Sequence, residues 1–205
     1  YACAYKPNSQ FLLFALNIEQ LRKLNDKIHR EGCISILDHK LTDIGSSNTS
    51  AIYWINRAGF DAFTFSPFAG NIQDTVDIAH GHGIGVFVLT LMSNPESRWI
   101  QKESTIKGKP LFKEIARISG KNRADGLVVG ATENVSEKDI REIRSIAGRE
   151  TILLFPGIGA QGGNISRIIR NSGNNLLINV SRAIILDKNP EKRAREFCEM
   201  FNKYR

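Results

Sequence analysis

An α/β fold on a parallel sheet is what this sequence predicts, and three observations carry the prediction. Short runs that are apolar on both faces recur along the chain, such as GVFVLTLM at 85–92 and TILLF at 151–155. Strands covered on both sides of a sheet read this way. Between them lie stretches with apolar residues at helical spacing, so the periodicity switches from strand to helix and back. The alternation repeats seven times in 205 residues. That is one unit short of a (β/α)8 barrel, the TIM-barrel architecture, and the chain begins mid-rhythm on a strand. The expectation is a single barrel domain over 1–205 whose first βα unit lies upstream of Tyr1. The alternative is a doubly wound open sheet, but no Gly-x-Gly-x-x-Gly turn follows an early strand.

Taken in order, Ala2-Cys3-Ala4-Tyr5 is a short strand ending at Lys6. Ile18, Leu21, Leu24 and Ile28 share one helix face, and Gly32 stops that helix. Strand 34–40 (ISILDHK) leads to a helix that Ser46 or Ser47 can cap, carrying Ile52, Ile55 and Ala58 and ending at Gly59. Strand 61–66 (DAFTFS) and a helix over 71–81 with Val76, Ile78 and Ala79 follow, then strand 85–92. The polar connection 93–109 is long, of the kind that covers a site. A helix over 110–119 opens on Pro110, and strand 126–131 (GLVVGA) comes next. Ser136 and Asp139 resemble a capping box, with Val135 and Ile140 as its staple, and that helix ends at Gly148. Strand 151–155 runs into PGIGAQGG at 156–163, and strand 176–180 (LLINV) precedes Ser181-Arg182. Pro190 starts a closing helix with Ala194, Phe197, Cys198 and Phe201 on one stripe. Trp54 reads as packing, and Trp99 as a contact made by the long connection.

Composition removes several function classes. With 41% hydrophobic and 24% charged residues the chain has the make-up of a soluble globular protein. No apolar run approaches the roughly 20 residues that span a bilayer, so no membrane partner is expected. The opening at Tyr1, without methionine, leaves targeting open. Cys3, Cys33 and Cys198 are far apart and form no Cys-x-x-Cys pair, which argues against zinc and against a disulfide framework; a reducing cytoplasm is the expected compartment. A net charge of +7 suits either nucleic acid or a small anion. The densest basic cluster, Lys188, Lys192, Arg193, Arg195, Lys203 and Arg205, is the polar face of a terminal helix and carries no interleaved aromatics, so no nucleic-acid partner is expected. His80 and His82 sit at a helix end away from any strand terminus, and no metal is expected there.

The chemistry gathers at strand ends. Asp38 and Lys40 share a face at i and i+2, His39 points oppositely as a shell residue, and Asp43 lies in the loop beyond. A structural ion pair and proton chemistry both fit that pattern on its own. In a barrel, the loops after strands seven and eight hold phosphate. Here they are 156–163, where glycines let N–H groups converge on an anion, and Ser181-Arg182, where a guanidinium offers a bidentate fork. Lys6 ends the first visible strand, Ser93 ends strand 85–92 and can meet the edge of a planar ring, and Gln161 can bridge base and phosphate.

Asp38-x-Lys40-x-x-Asp43-Ile44 resembles the signature of the orotidine monophosphate (OMP) decarboxylase family. Pro156-Gly-Ile158-Gly159-Ala-Gln161-Gly162-Gly resembles that family's phosphate loop, including its glutamine. Met92-Ser93-Asn94-Pro95, Ser181-Arg182 and Tyr5-Lys6-Pro7-Asn8 fall where the family has its base-edge serine, phosphate arginine and second-strand lysine. The resemblance runs from Lys6 to Arg182 in order. It implies loss of CO2 from OMP to give UMP, in pyrimidine biosynthesis, without metal or organic cofactor. By the same resemblance Lys40 is the proton donor to C6, Asp38 sits near the departing carboxylate, and Lys6 holds Asp38 and a ribose hydroxyl. Asp43, Ile44 and Ser47 reach into a partner subunit's site, implying a homodimer with shared sites. Ser47 replaces a threonine of some relatives, Ser181 stands where glycine is common, and the family's first-strand ribose aspartate has no counterpart here. The alternatives are a Mg2+-dependent sugar-phosphate relative (hexulose phosphate synthase or ketogulonate phosphate decarboxylase), which lacks the glutamine loop, and a catalytically silent phosphate-binding barrel.

Overall fold

The computed structural model describes residues 1–158 and 165–204. These fall into two compact units, 2–89 and 90–205 (the latter with Tyr1).

In the first unit, β1 (Ala4–Tyr5) is followed by a one-turn helix α1 (Ser9–Leu12) and by α2 (Ile18–Arg30). Asn17 and Gln20 form a full capping box on α2, which buries Leu21, Asn25 and Ile28. Asn25 belongs in the core because its Nδ2 donates to the Ala58 carbonyl at 2.7 Å. β2 (Ile34–Leu41), α3 (Gly45–Arg57), β3 (Ala62–Phe65), α4 (Ile72–Gly81) and β4 (Gly85–Leu91) continue the alternation. The strands pair in parallel in chain order, β1 with β2, β2 with β3 and β3 with β4. Ile36, Ile52, Phe63, Phe65, Val76 and Val86 are among the unit's most deeply buried side chains.

Two local expectations change. α3 has Ile44 as its N-cap with no side-chain bond, so Ser46 and Ser47 lie inside its first turn and do not cap it. The Asp43 carboxylate takes the Ile44 N–H instead, at 2.8 Å. Trp54 does not pack in the core: it is 54% exposed and meets the Tyr53 ring edge to face at 5.2 Å. Ile52 and Ile55 occupy the buried stripe of α3, and at about 100° per residue Trp54 points away from it.

In the second unit the connection after β4 is structured. It holds a 3-10 turn (Pro95–Ser97), a π turn (Trp99–Glu103) and the antiparallel hairpin of β5 (Thr105–Ile106) and β6 (Lys109–Pro110). Lys107 and Gly108, at φ 51° and 76°, make the two-residue turn, the pair of left-handed residues that a tight hairpin demands. Trp99 is 64% exposed on the π turn. Then come α5 (Leu111–Lys121), β7 (Gly126–Val129), α6 (Glu137–Ala147), β8 (Ile152–Pro156), α7 (Ile165–Ser172), β9 (Leu176–Asn179), α8 (Arg182–Ile185) and α9 (Pro190–Asn202). β7, β8 and β9 pair in parallel, in that order. The capping box of α6 is present in both directions: Asp139 N–H donates to Ser136 Oγ (3.2 Å), and Ser136 N–H donates to Asp139 Oδ2 (2.8 Å). Val135 and Ile140 are both fully buried beside it, as a staple requires. Asp139 also receives the Lys102 ammonium at 2.7 Å, which ties the π turn to the head of α6. Phe197 is the buried centre of the α9 stripe. Among the described residues no helix is long and apolar enough to cross a membrane.

Candidate active site

The end of β2 is where charge enters the first unit. Asp38 N–H donates to the Pro7 carbonyl at 2.8 Å, which brings the residues after β1 alongside Asp38. The Lys6 ammonium pairs with Asp38 Oδ2, and the Lys40 ammonium donates to Asp38 Oδ1 at 2.6 Å. The Lys6 and Asp38 side chains are each only 12% exposed, whereas that of Lys40 is 41% exposed and open to a ligand. Burial alone would raise the Asp38 pKa; the Lys6 charge and the hydrogen bonds from Lys40 and Lys6 outweigh it and hold the carboxyl below its ordinary range. Asp38 is therefore an anion held between two cations.

The geometry behind this is not a regular strand. β2 and β3 keep register at Ile36↔Ala62 and Leu37↔Phe63, and meet again only at Leu41↔Phe65. Asp38, His39 and Lys40 thus stand opposite Thr64 alone, and Lys40 takes a left-handed φ of 55°. The facing expected of i and i+2 is nonetheless kept. His39 turns to the other side, where its Nδ1 lies 3.1 Å from the hydroxyl of buried Ser9, which itself donates to the Asp38 carbonyl at 3.3 Å. Burial first, and the Lys40 charge second, lower the His39 pKa and keep the ring neutral at pH 7.

Asp43, Ile44 and Ser47 are not drawn into this array. All three are exposed, Ile44 to 62%, and Asn71 Nδ2 holds the Asp43 carbonyl at 3.0 Å. They form an outward-facing edge at the head of α3.

In the second unit, Ser93 is half-buried just past β4, and its turn is held by side chains. Thr132 Oγ1 donates to the Ser93 carbonyl at 2.5 Å. Asn134 Nδ2 lies 3.0 Å from the Met92 carbonyl, 3.1 Å from that of Asn94 and 3.2 Å from Ser97 Oγ. Gly130 abuts the same turn so closely that a Cβ there would lie 2.6 Å from Ser93 Cα. The Arg167 guanidinium on α7 donates to the carbonyls of Ala131 (3.1 Å) and Thr132 (2.9 Å), bracing the segment that does the holding.

Pro156 ends β8 in register with Asn179 of β9, so the 156–163 stretch starts beside the strand end that leads to Ser181 and Arg182. Gly157 has a φ of 103°, a value that favours glycine, and Ile158 is buried. Ser181 and Arg182 are exposed, at the start of α8. Gly159, Gln161 and Gly162 lie outside the described residues. Among the described residues no cluster of three or more His, Cys, Asp or Glu side chains could hold a metal ion.

Thr64, Asn134, Thr132 and Gly130 went unremarked in the sequence. Thr64 did leave one signal, a hydroxyl in a strand otherwise made of Ala62, Phe63 and Phe65, all buried. Asn134 left none, because its partners are 37 to 42 residues away in sequence.

The profile of the "Orotidine 5'-phosphate decarboxylase / HUMPS family" matches residues 1–197. The orotidine 5'-phosphate decarboxylase of Cupriavidus metallidurans is 37% identical over 194 residues, a match covering 89% of this chain and 69% of that protein. Among solved structures, the UMP synthase of Leishmania donovani superposes with a TM-score of 0.85 at 28% identity; the match covers 98% of this chain but 46% of that one. The OMP decarboxylase of the same organism gives 0.84 at 27% identity, covering 98% of this chain and 80% of its own. The fold class is accordingly the (β/α)8 barrel, reached here through the parallel βα alternation of both units. By profile, by sequence identity and by fold, the chain belongs to the orotidine 5'-phosphate decarboxylase family.

Proposed function

We propose that this chain decarboxylates orotidine 5'-phosphate to UMP, the carboxy-lyase step of pyrimidine biosynthesis, and that the Lys6–Asp38–Lys40 array is its acid–base centre. The observation that carries the reading is a carboxylate only 12% exposed between two ammonium groups, one of them open to a ligand, at the end of a parallel strand. The C6–carboxylate bond breaks heterolytically, CO2 leaves, and the electron pair remains on C6. Lys40 supports that developing charge and delivers its proton to C6, giving UMP and a neutral amine that water reprotonates. Asp38, kept ionised by its neighbours, stands near the substrate carboxylate and disfavours the bound ground state. Lys6 would hold Asp38 and a ribose hydroxyl.

Ser93 would read the base edge, and Gln161 would bridge base and phosphate. Pro156, Ile158, Gly159 and Gly162 would shape the phosphate loop, with Ser181 and Arg182 closing on the phosphate. Asp43, Ile44 and Ser47 would serve the site of a second copy in a homodimer; their exposure on the head of α3 supports that assignment. The barrel would act as one domain, in the cytoplasm.

The test follows pyrimidine absorbance on mixing the chain with OMP in the presence of EDTA. Turnover is expected. A chain that leaves OMP untouched sinks the proposal. Loss of turnover on chelation would favour a Mg2+-dependent sugar-phosphate activity, which the HUMPS half of the family name keeps in view. Lys40→Ala is expected to lower kcat by about 10²–10⁴, the usual share of a positioned proton donor, while UMP still binds.

A further inference from the structure

We propose that Thr64 is a positioning residue for this site, its hydroxyl setting both the backbone of Lys40 and the carboxylate of Asp38. The proposal rests on the decarboxylase reading above and adds to it a residue on a different strand.

Thr64 is buried in the centre of β3, between Phe63 and Phe65. A hydroxyl there is unfavourable unless it is hydrogen-bonded, so its partners matter. From Leu37 to Leu41 the chain advances four residues on β2 while its partners advance only two on β3, from Phe63 to Phe65. Three residues of β2 therefore face one of β3. In such a bulge the main-chain ladder is interrupted, and Lys40 N–H donates to the Thr64 side chain at 2.9 Å. With a lone pair of Oγ1 accepting that N–H, the hydroxyl proton is free to be donated, and it goes to Asp38 Oδ1 at 3.2 Å. Asp38 Oδ1 is the same oxygen that receives the Lys40 ammonium at 2.6 Å.

One hydroxyl thus closes a ring through the Lys40 main chain, the Lys40 side chain and Asp38. The left-handed φ of Lys40, 55°, is uncommon for a residue with a side chain and persists where the surroundings over-determine it. Thr64 is the buried group that over-determines it. Without the hydroxyl, Lys40 N–H loses its acceptor, Asp38 loses a donor, and the direction in which the ammonium leaves the strand is no longer fixed.

Thr64→Val keeps the shape and removes the hydroxyl, and Thr64→Ser keeps the hydroxyl and removes a methyl. On the full chain we measure kcat with OMP, UMP affinity by calorimetry, and exchange of the Lys40 amide proton by NMR. Thr64→Val is expected to lower kcat about 10–100-fold, the order of loss for a displacement near 1 Å, with UMP affinity within about threefold and faster Lys40 exchange. Thr64→Ser is expected to stay within about threefold of wild-type kcat and to retain slow exchange. Wild-type kcat in folded Thr64→Val overturns the proposal. So does a Thr64→Ser variant as impaired as Thr64→Val, which would make the methyl and its packing responsible. A loss of UMP affinity equal to the loss of kcat also overturns it, since that marks collapse of the pocket. If the wild-type chain leaves OMP untouched, the decarboxylase reading fails by itself. The exchange comparison then still decides whether the hydroxyl holds Lys40.

Discussion

Replacing Gly130 by alanine inserts one methyl group against the turn that carries Ser93. The new Cβ would lie 2.6 Å from Ser93 Cα, 2.7 Å from its N and 2.9 Å from its Cβ. Non-bonded carbons rest at about 3.5–4.0 Å, so the turn must retreat by about 1 Å. It is not free to do so. Thr132 and Asn134 hold three successive carbonyls of the turn, and Gln101 Oε1 accepts the Met92 N–H at 2.7 Å. Either the overlap is absorbed as overpacking, at about 1–3 kcal/mol, or hydrogen bonds break at about 1 kcal/mol each. Both routes lead to about 1–3 kcal/mol of destabilisation, which for a chain of this length lowers Tm by about 2–12 °C. The sign is diagnostic. Where space and backbone permit, Gly→Ala stabilises by about 0.4–1 kcal/mol through the unfolded chain. Thermal unfolding followed by far-ultraviolet circular dichroism, together with KM for OMP, tests the reasoning. A Gly130→Ala protein with unchanged or higher Tm and unchanged KM would refute the close packing of Gly130 on Ser93.

The neutral, half-buried His39 makes stability pH-dependent. Its folded pKa lies below the unfolded value of about 6.5, so the unfolded chain binds the extra proton and stability falls as pH drops through and below that value, by at most about 1.4 kcal/mol per pH unit. His39→Asn should flatten the difference in Tm between pH 5 and 7, and an identical slope in the variant would contradict the assignment. At the head of α6, Ser136→Ala should cost about 1 kcal/mol as a lost N-cap. Asp139→Asn should cost more, because it loses the pairing with Lys102 as well. Equal midpoints in urea for the two variants would refute the added contribution of that pair.

What was legible in the sequence was what is local. The capping box of Ser136 and Asp139 spans three residues, and the staple of Val135 and Ile140 spans five, so both could be read directly and both are present. The pairing of Asp38 with Lys40 was legible for the same reason, although the strand achieves it through a bulge instead of a regular pleat. Apolar periodicity placed the strands and helices because burial on one stripe is a property of the segment. It misjudged Trp54, since an aromatic one residue from the stripe cannot be told from one on it without knowing which way the helix turns. It missed Asn134 and Gly130 because their meaning lies in a turn about 40 residues away, brought close only by the fold. The connection 93–109 looked bare because its order comes from a hairpin too short for periodicity, from the Lys102 pairing with α6 and from side-chain bonds made by Thr132 and Asn134.

The chain's two tryptophans, Trp54 and Trp99, are both on the surface, one in each unit. Neither indole passes from an apolar interior into water when the protein unfolds, so its fluorescence reports little about the core. The same placement makes the two rings sensors of what covers them. A molecule or second subunit settling on α3 would dry the Trp54 ring beside Tyr53 and move its emission to the blue, and Trp99 would register closure over the π turn independently.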